Sequence, residues 1–329
     1  MKTLLALMLV IAMPLHAELQ EVTVAEQYGL AMLPLMVMER LGLPEKYAAA
    51  AGVPGLHVNW LQVAGPSVMN DGLISGAVQF AAQGAPSLIT LWNKTQRNVG
   101  VKAMAAITTY PLYLVTRNPA VRTLADFTDA DRIALPSVKI STQAIMLQMG
   151  AARAFGAGAY QRLDPLTIGL SHPDAAAAFL SNTAGINTHF SAAPFYQQEI
   201  KVPGAHLVTT NYDILGGPAT ALVLSASGRF RTENPRVYRA FLDALAEATA
   251  KINADKPAAA RLYLEMAHDR RNSEADILAI IEDPDYAYTM KPTKVLATAQ
   301  FMAQVGTVKA TPGALSDLFF PEAAALGGD

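Results

Sequence analysis

The chain has 329 residues, of which 16% are charged and 52% hydrophobic, and it contains no cysteine. That length favours two domains or two lobes, and the lack of cysteine excludes disulfides, thiolate nucleophiles, cysteine-ligated zinc and cysteine-linked lipid. The formal net charge of −2, from 25 basic and 27 acidic residues, gives no broad attraction to nucleic acid.

The N-terminus has the order of features found in a cleaved export signal. Met1 and Lys2 form a positively charged start, residues 4–13 are apolar, and the small residue Ala17 precedes Glu18. The apolar segment is too short to span a bilayer. We therefore expect residues 1–17 to be a signal peptide cleaved near Ala17, and the mature protein to be periplasmic with no lipid anchor.

Short apolar runs then alternate with helical stretches, which is typical of β-α units. Strands are predicted at residues 22–25, 57–63, 78–82, 102–107, 112–116, 132–135, 166–169, 185–189, 206–209 and 219–225. Each of the first three runs into a polar loop and then a helix. The rest of the chain is mainly helical, with Asn234 as an N-cap before Pro235, and with Ser273 and Thr293 as N-caps of later helices.

The sequence contains no recognised catalytic or metal-binding motif. The segment from Gly65 to Met69 has methionine where a nucleophile elbow needs its second glycine, and there is no Walker loop. The six histidines are scattered, and no two have the i, i+4 spacing of a zinc-binding helix. We therefore expect no enzyme activity, no cofactor and no metal site.

Polar, mostly uncharged side chains instead gather in the loops that follow predicted strands. Ser67 and Ser141 precede helices, whose N-termini present free N–H groups and partial positive charge to an anion. Lys139 would add a full charge to the second helix, although helix capping alone explains a serine at either place. The predicted ligand-binding residues are Gln27, Tyr28, Ser67, Gln83, Tyr110, Ser137, Lys139, Ser141, Thr142, Asn187 and His189.

Several short motifs give the chain a resemblance to a known family. They are Glu26-Gln27-Tyr28-Gly29, residues 70–81, residues 134–143, Ser171-His172-Pro173-Asp174, residues 215–220, Asn234-Pro235 and residues 318–321. With these motifs the mature sequence resembles, over essentially its whole length, the periplasmic substrate-binding proteins of nitrate, sulfonate and taurine ABC importers. Gln79 is a departure, since relatives often carry aspartate there.

The resemblance implies the type II periplasmic binding protein fold of the thiamine-pyrimidine-synthase-like superfamily. This is an α/β fold of two lobes, each a mostly parallel sheet flanked by helices, with two strand crossovers as the hinge. Lobe 1 would comprise residues 18–112 and 219–329, and lobe 2 residues 113–218. The family also implies a monomer that closes on its ligand and delivers it to a membrane permease with a separate ATPase subunit.

The ligand suggested by the helix N-termini and hydroxyls is a small organic anion, namely a sulfonate, a sulfate ester or a carboxylate, and Tyr28 and Tyr110 would allow an aromatic part. Other functions stay open at this point. Pyrimidine binders share the fold, so a thiamine-pyrimidine precursor is an alternative ligand, and a sensor that presents its ligand to a membrane receptor is an alternative role. Fungal thiamine-pyrimidine synthases also resemble the fold, but they depend on a cysteine-rich iron-binding segment that this chain lacks.

Overall fold

Two β-sheets flanked by helices form the core of residues 17–328, the part of the chain that this computed structural model describes. The predicted signal peptide lies outside these residues, apart from Ala17. The strands are β1 (Glu21–Glu26), β2 (His57–Gln62), β3 (Phe80–Gly84), β4 (Val101–Thr109), β5 (Tyr113–Thr116), β6 (Ile133–Leu135), β7 (Thr167–Gly169), β8 (Thr188–Ser191), β9 (His206–Thr210), β10 (Thr220–Ser227) and β11 (Ala287–Tyr288). The helices are α1 (Leu33–Arg40), α2 (Leu43–Ala50), α3 (Pro66–Ser75), α4 (Ala85–Thr95), α5 (Thr142–Phe155), α6 (His172–Ser181), α7 (Phe195–Glu199), α8 (Asn211–Leu215), α9 (Gly228–Glu233), α10 (Pro235–Ala254), α11 (Lys256–Met266), α12 (Glu274–Glu282), α13 (Val295–Gln304), α14 (Leu315–Leu318) and α15 (Pro321–Ala324).

The two sheets are both mixed. The first has the strand order β11-β4-β10-β3-β1-β2, and the second has the order β7-β6-β8-β5-β9. β1 is parallel to β2 and β3, and β6 is parallel to β7 and β8. β10 is antiparallel to β3 and β4, β11 is antiparallel to β4, and β5 is antiparallel to β8 and β9. The two-lobed α/β fold is confirmed, and so are mostly parallel sheets, since four of the six strands of the first sheet and four of the five strands of the second run in one direction.

The path of the chain between the sheets explains the antiparallel strands. The chain leaves the first sheet at Thr109, enters the second at Tyr113, and returns to the first at Thr220. The parallel strands of each lobe end at the edge that faces the other lobe. A strand that arrives from the opposite lobe therefore starts at that edge and runs away from it, as β5 and β10 do.

The predicted apolar runs form strands because helices cover both faces of the first sheet. Every residue of β3 is buried, and Phe80 stacks on Phe241 of α10 with ring centroids 3.8 Å apart.

α10 begins at Pro235, as predicted, but Thr293 does not cap α13. The N-cap there is Lys294, and the Thr293 backbone N–H donates to the Thr220 hydroxyl at 2.8 Å. No helix within residues 17–328 has both the length and the apolar character needed to cross a membrane.

The N-terminus of α10 is held by a residue far away in sequence. Glu18 accepts hydrogen bonds from the backbone N–H of Val237 at 2.8 Å and from the guanidinium Nε of Arg236 at 2.9 Å. The Asn234 side chain does not bond the first turn, because its Oδ1 accepts from the Leu19 backbone N–H. The buried Glu18 carboxylate therefore does the capping, and it ties the start of the described chain to lobe 1.

We expect Glu18→Ala to lower the free energy of unfolding by about 2 kcal/mol, because it removes charge-assisted hydrogen bonds at a helix N-terminus. Chemical denaturation measures this change. The matched control is Glu233→Ala, which breaks an exposed pair with Arg229 and should change stability by less than about 0.5 kcal/mol. Equal effects of the two substitutions would contradict the capping role of Glu18.

Candidate ligand-binding site

A small cavity lies between the two sheets, at the edge where their parallel strands end. Its volume is about 20 Å³, which is room for about one water molecule. Its walls come from the loop after β1, the ends of β3 and β4, the starts of α3, α5 and α6, and β10. The lining residues are Gln27, Tyr28, Met32, Pro66, Gly84, Tyr110, Leu112, Ser141, Thr142, Gln143, His172, Ala221 and Leu222.

Four helices begin at this cavity. Pro66, Thr142 and His172 are the first residues of α3, α5 and α6, and Gly84 is the N-cap of α4. The backbone N–H groups of a first helical turn have no partner within the helix and carry partial positive charge. At α5 the Ser141 hydroxyl accepts one of them, from Ala144, at 3.2 Å. The cavity is therefore electropositive without help from a basic side chain.

The described side chains that line the cavity carry no formal charge. Among the described residues that line the cavity there is no aspartate, glutamate, lysine or arginine. The polar side chains that face it are amides, hydroxyls and one imidazole. Within residues 17–328, no three histidine, aspartate or glutamate side chains are placed to hold a metal ion.

A chain of buried hydrogen bonds leads from the cavity into lobe 2. Gln143 Nε2 lies 3.1 Å from His172 Nε2, and His172 Nδ1 lies 3.0 Å from His189 Nε2. His189 Nδ1 lies 2.6 Å from Glu199 Oε1. We call these four residues the histidine network. His189 and Glu199 are fully buried, whereas Gln143 and His172 line the cavity.

The hydrogen bonds of the histidine network determine its tautomers. The amide Nε2 of Gln143 can only donate, so His172 Nε2 accepts and the His172 proton lies on Nδ1. His172 then donates to His189 Nε2, and His189 donates from Nδ1 to Glu199. Burial lowers the pKa of His172 well below its usual value, and the nearby His189 lowers it further. A neutral His172 fits this pattern of donors and acceptors.

Five predicted ligand-binding residues lie on the cavity wall, namely Gln27, Tyr28, Tyr110, Ser141 and Thr142. Gln83 does not, because it is fully buried behind Gly84, where its Oε1 accepts from the Ser87 hydroxyl at 2.6 Å. Gln83 Nε2 has no hydrogen-bond partner among the described residues.

Three other predicted residues lie at the mouth of the cleft or outside it. Ser67 and Ser137 face each other across the lobes, with their hydroxyl oxygens 3.4 Å apart, and line a separate surface pocket. Lys139 is exposed in a left-handed turn (φ 68°) and does not line the cavity. The Lys139 charge acts instead on Asp164, whose pKa is raised by burial against the opposing effects of Gln148 and Lys139.

Asn187 and His189 lie away from the cavity. β8 begins at Thr188, not at residue 185, which places Asn187 at the end of the strand far from the cavity. There the Asn187 amide donates to Asp131 at 2.8 Å. His189 is fully buried behind His172, and both of its ring nitrogens are engaged within the histidine network. Neither side chain reaches the cavity.

The sequence interpretation missed His172 as a cavity residue. The sequence feature that could have indicated His172 is the preceding Ser171, which caps α6 just as Ser141 caps α5. Both helices follow a strand whose carboxyl end faces the other lobe. A search for the residues just after each such cap would have found Thr142, Gln143 and His172 together.

The lobes are in contact around the cavity. The Leu30 backbone N–H donates to the Ala193 carbonyl at 3.1 Å, and the Tyr212 hydroxyl donates to the Asp285 carbonyl at 2.9 Å. A side-chain carbon on Gly65 would come within 2.5 Å of the Pro136 carbonyl oxygen in lobe 2. Because the lobes meet around the cavity, a ligand can enter it only when they separate.

A second, larger cavity of about 440 Å³ adjoins the first, and Tyr28 lines both. Its apolar part includes Met36, Tyr263 and Phe195. Arg270 and Arg271 stand on its rim, where Arg271 Nη1 lies 3.5 Å from Gln198 Oε1 of lobe 2. This cavity provides apolar surface beside a cationic edge.

Solved structures similar to this one cover most of the chain. No protein-family model matches the sequence, and no curated protein matches it significantly. The alkanesulfonate-binding protein SsuA from Xanthomonas axonopodis pv. citri, bound to MOPS, is 18% identical, with a TM-score of 0.69 over 92% of this chain and 99% of its own. The periplasmic aliphatic sulphonate binding protein SsuA from Escherichia coli is 16% identical (TM-score 0.64, 92% of each chain), and the periplasmic nitrate-binding protein NrtA from Synechocystis PCC 6803 is 16% identical (TM-score 0.70, 94% of this chain and 90% of its own). The chain therefore has the periplasmic binding protein fold that its sequence predicts.

Proposed function

We propose that this protein is the periplasmic solute-binding component of an ABC importer, and that it captures a small organic anion between its lobes. The observation that carries the proposal is the meeting of four helix N-termini at a cavity whose described lining includes no charged side chain. Such termini stabilise an oxyanion through N–H groups and partial charge. A cavity without carboxylates on its wall does not repel such an oxyanion.

The binding event follows from the geometry of the lobes. An open form would admit the ligand to the edge where the helices begin. Contacts made from both lobes at once, by the N-termini of α3 and α4 on one side and of α5 and α6 on the other, exist only in the closed form. Ligand binding therefore shifts the equilibrium towards closure. The closed protein would then dock on a membrane permease that a separate ATPase subunit drives.

The adjoining cavity favours an organic anion over a simple inorganic one. A head group at the helix N-termini would leave the rest of the ligand beside Tyr28, next to the apolar walls of the second cavity. Sulfonates, sulfate esters and carboxylates have this division into a compact anionic head and an apolar body. The named ligands of the similar structures, an alkanesulfonate and nitrate, agree with an anionic head group.

A thermal-shift panel tests this proposal. It comprises alkanesulfonates, sulfate esters, aromatic carboxylates, nitrate and pyrimidines, each added to the purified mature protein. A ligand present at 100 times its Kd should stabilise the protein by about 2.7 kcal/mol. Stabilisation by an organic anion supports the proposal. Stabilisation by pyrimidines alone, or turnover of any ester, contradicts it.

The best anion from the panel should bind Thr142→Val at least about tenfold more weakly, because the substitution removes a hydroxyl from the cavity wall at nearly constant volume. The control is Lys139→Asn, which removes a positive charge outside the cavity and keeps a residue type that tolerates the left-handed turn. Its affinity should match that of the natural protein. A large loss from Lys139→Asn would place the anion site elsewhere.

A further inference from the structure

The histidine network connects the cavity to a buried acid. Glu199 is fully buried, and its Oε2 has no hydrogen-bond partner among the described residues. Among the described residues, Glu199 Oε1 is hydrogen-bonded to His189, which is hydrogen-bonded to His172, and His172 is hydrogen-bonded to Gln143 at the cavity wall. Core packing does not require a buried acid that two imidazoles connect to a ligand cavity.

The proton count of the network determines its charge. In the arrangement described above, His172 and His189 each hold one proton, on Nδ1, and the Glu199 carboxylate accepts from His189. Both imidazoles are neutral, so with an ionised Glu199 the network carries a net charge of −1. A negative charge buried in low dielectric repels an anion that enters the neighbouring cavity, although the helix N-termini attract it.

We infer that the histidine network takes up one proton from solvent whenever the cavity takes up an anion, and that Gln143 responds by turning its N–H donors towards the ligand. This inference rests on the proposed function. The added proton goes to His172 Nε2, so three protons are shared among the four ring nitrogens and the network becomes neutral. One negative charge enters with one positive charge, and the net charge of the closed cleft stays constant.

Gln143 has to turn when this happens. A protonated His172 Nε2 can no longer accept from the amide nitrogen, so the amide rotates and presents Oε1 to His172. Its Nε2 then points the other way, into the cavity. The cavity thereby gains two N–H donors in the state that holds an anion. In the free state Gln143 Nε2 donates to His172 instead.

Other titratable groups near the network do not replace it. Asp174 lies on α6 itself, with its carboxylate bonded to the Ser171 hydroxyl. Tyr196 on α7 stacks on Tyr113 of β5, and burial raises the pKa of both phenols. Arg117 lies at the far end of α6, where it donates to the Phe179 carbonyl. None of these groups stands between His172 and the cavity.

Calorimetry with methanesulfonate as the probe tests the inference, since this anion does not itself bind a proton near neutral pH. The titration is run at pH 7 in Tris and in Bis-Tris, whose ionisation enthalpies differ. We expect an uptake close to one proton per anion bound. Glu26 precedes the cavity residue Gln27 and has a pKa of about 8, so the Kd is compared between pH 6 and pH 7. Over that range it should rise about tenfold, as linkage to one proton requires.

Glu199→Gln removes the negative charge and keeps the side-chain shape. We expect its proton uptake to fall to nearly zero, and its Kd for methanesulfonate to lose its pH dependence. The control Glu233→Gln changes an exposed glutamate of lobe 1 and should leave both quantities unchanged. Undiminished proton uptake by Glu199→Gln would overturn the inference.

A measurement on the unsubstituted protein does not depend on the folding of a variant. Nitrogen-15 chemical shifts of His172 and His189 report which ring nitrogens carry protons. We expect both rings to be neutral and protonated on Nδ1 in the free protein at pH 7, and His172 Nε2 to gain a proton when methanesulfonate saturates the site. Protonation of His172 Nε2 in the free protein would overturn the inference.

Binding of methanesulfonate and uptake of a proton are separate measurements. Methanesulfonate binding with no proton uptake overturns the inference and leaves the proposed function in place. If neither methanesulfonate nor any other anion of the panel binds, the proposed function fails, and the inference fails with it.

Discussion

Gly65→Ala should hold the lobes apart and weaken ligand binding by between about fivefold and about 150-fold. The added carbon would come within 2.5 Å of both the Pro136 carbonyl oxygen and the Ser137 hydroxyl oxygen, which belong to the opposite lobe. Overpacking of this kind costs roughly 1–3 kcal/mol, and each 1.4 kcal/mol changes affinity tenfold. The backbone of Gly65 is fully extended (φ −172°, ψ 176°), so alanine fits lobe 1 without strain.

The substitution therefore acts on closure alone. We expect an unchanged melting temperature for the free protein, a larger Kd, and a larger radius of gyration by small-angle X-ray scattering in the presence of ligand. Gly158→Ala is the matched control, because a carbon there meets no atom within 4 Å. Unaltered affinity and radius of gyration in Gly65→Ala would show that the closed arrangement of the lobes is not the one that binds.

Glu26→Gln should stabilise the protein at high pH by up to about 5 kcal/mol and leave it unchanged near pH 4.5. Burial raises the pKa of Glu26 to about 8, the charge of Glu39 adds to this, and a hydrogen bond with Gln62 opposes it. Glu26 Oε2 has no hydrogen-bond partner among the described residues. The folded protein therefore keeps this acid neutral over a range of pH where the unfolded chain ionises it.

The sign of the pH dependence of stability follows from the number of protons that the folded and unfolded states bind. Between pH 4.5 and pH 8 the folded state binds one more proton at Glu26 than the unfolded state does, so stability falls by about 1.4 kcal/mol per pH unit. Glutamine does not ionise and removes this slope. Glu21→Gln, at the exposed start of the same strand, is the control and should change stability by less than about 0.5 kcal/mol at any pH. Parallel stability–pH curves for Glu26→Gln and the natural protein would contradict the burial of a neutral Glu26.

Local sequence patterns predict most strands of the fold but not which strands run against the others. Apolar runs between polar loops identify β1 to β4 because these strands are covered by helices, and such runs look alike in parallel and antiparallel sheets. The directions of β5 and β10 depend on where the chain crosses between lobes, which no local pattern records. β11, with only Ala287 and Tyr288, is too short to give an apolar run at all.

In the candidate site, too, local sequence patterns predict some residues, whereas contacts between distant segments determine the others. Tyr28, Ser141 and Thr142 could be predicted because they follow strand ends, where ligands of α/β folds bind. The histidine network could not, because its members come from α5, α6, β8 and α7 and meet only through the packing of lobe 2. A search for histidines at fixed spacing cannot find His172 and His189, which are 17 positions apart.

Closure of the lobes on a ligand can be measured directly by electron–electron double resonance between two spin labels. The chain has no cysteine, so labels attach only where one is introduced, and Asp71→Cys in lobe 1 with Asp129→Cys in lobe 2 places both on exposed positions. Saturation with the best-binding organic anion should replace a broad distribution of distances by one narrow distribution. The same distribution with and without a bound anion would contradict capture by closure.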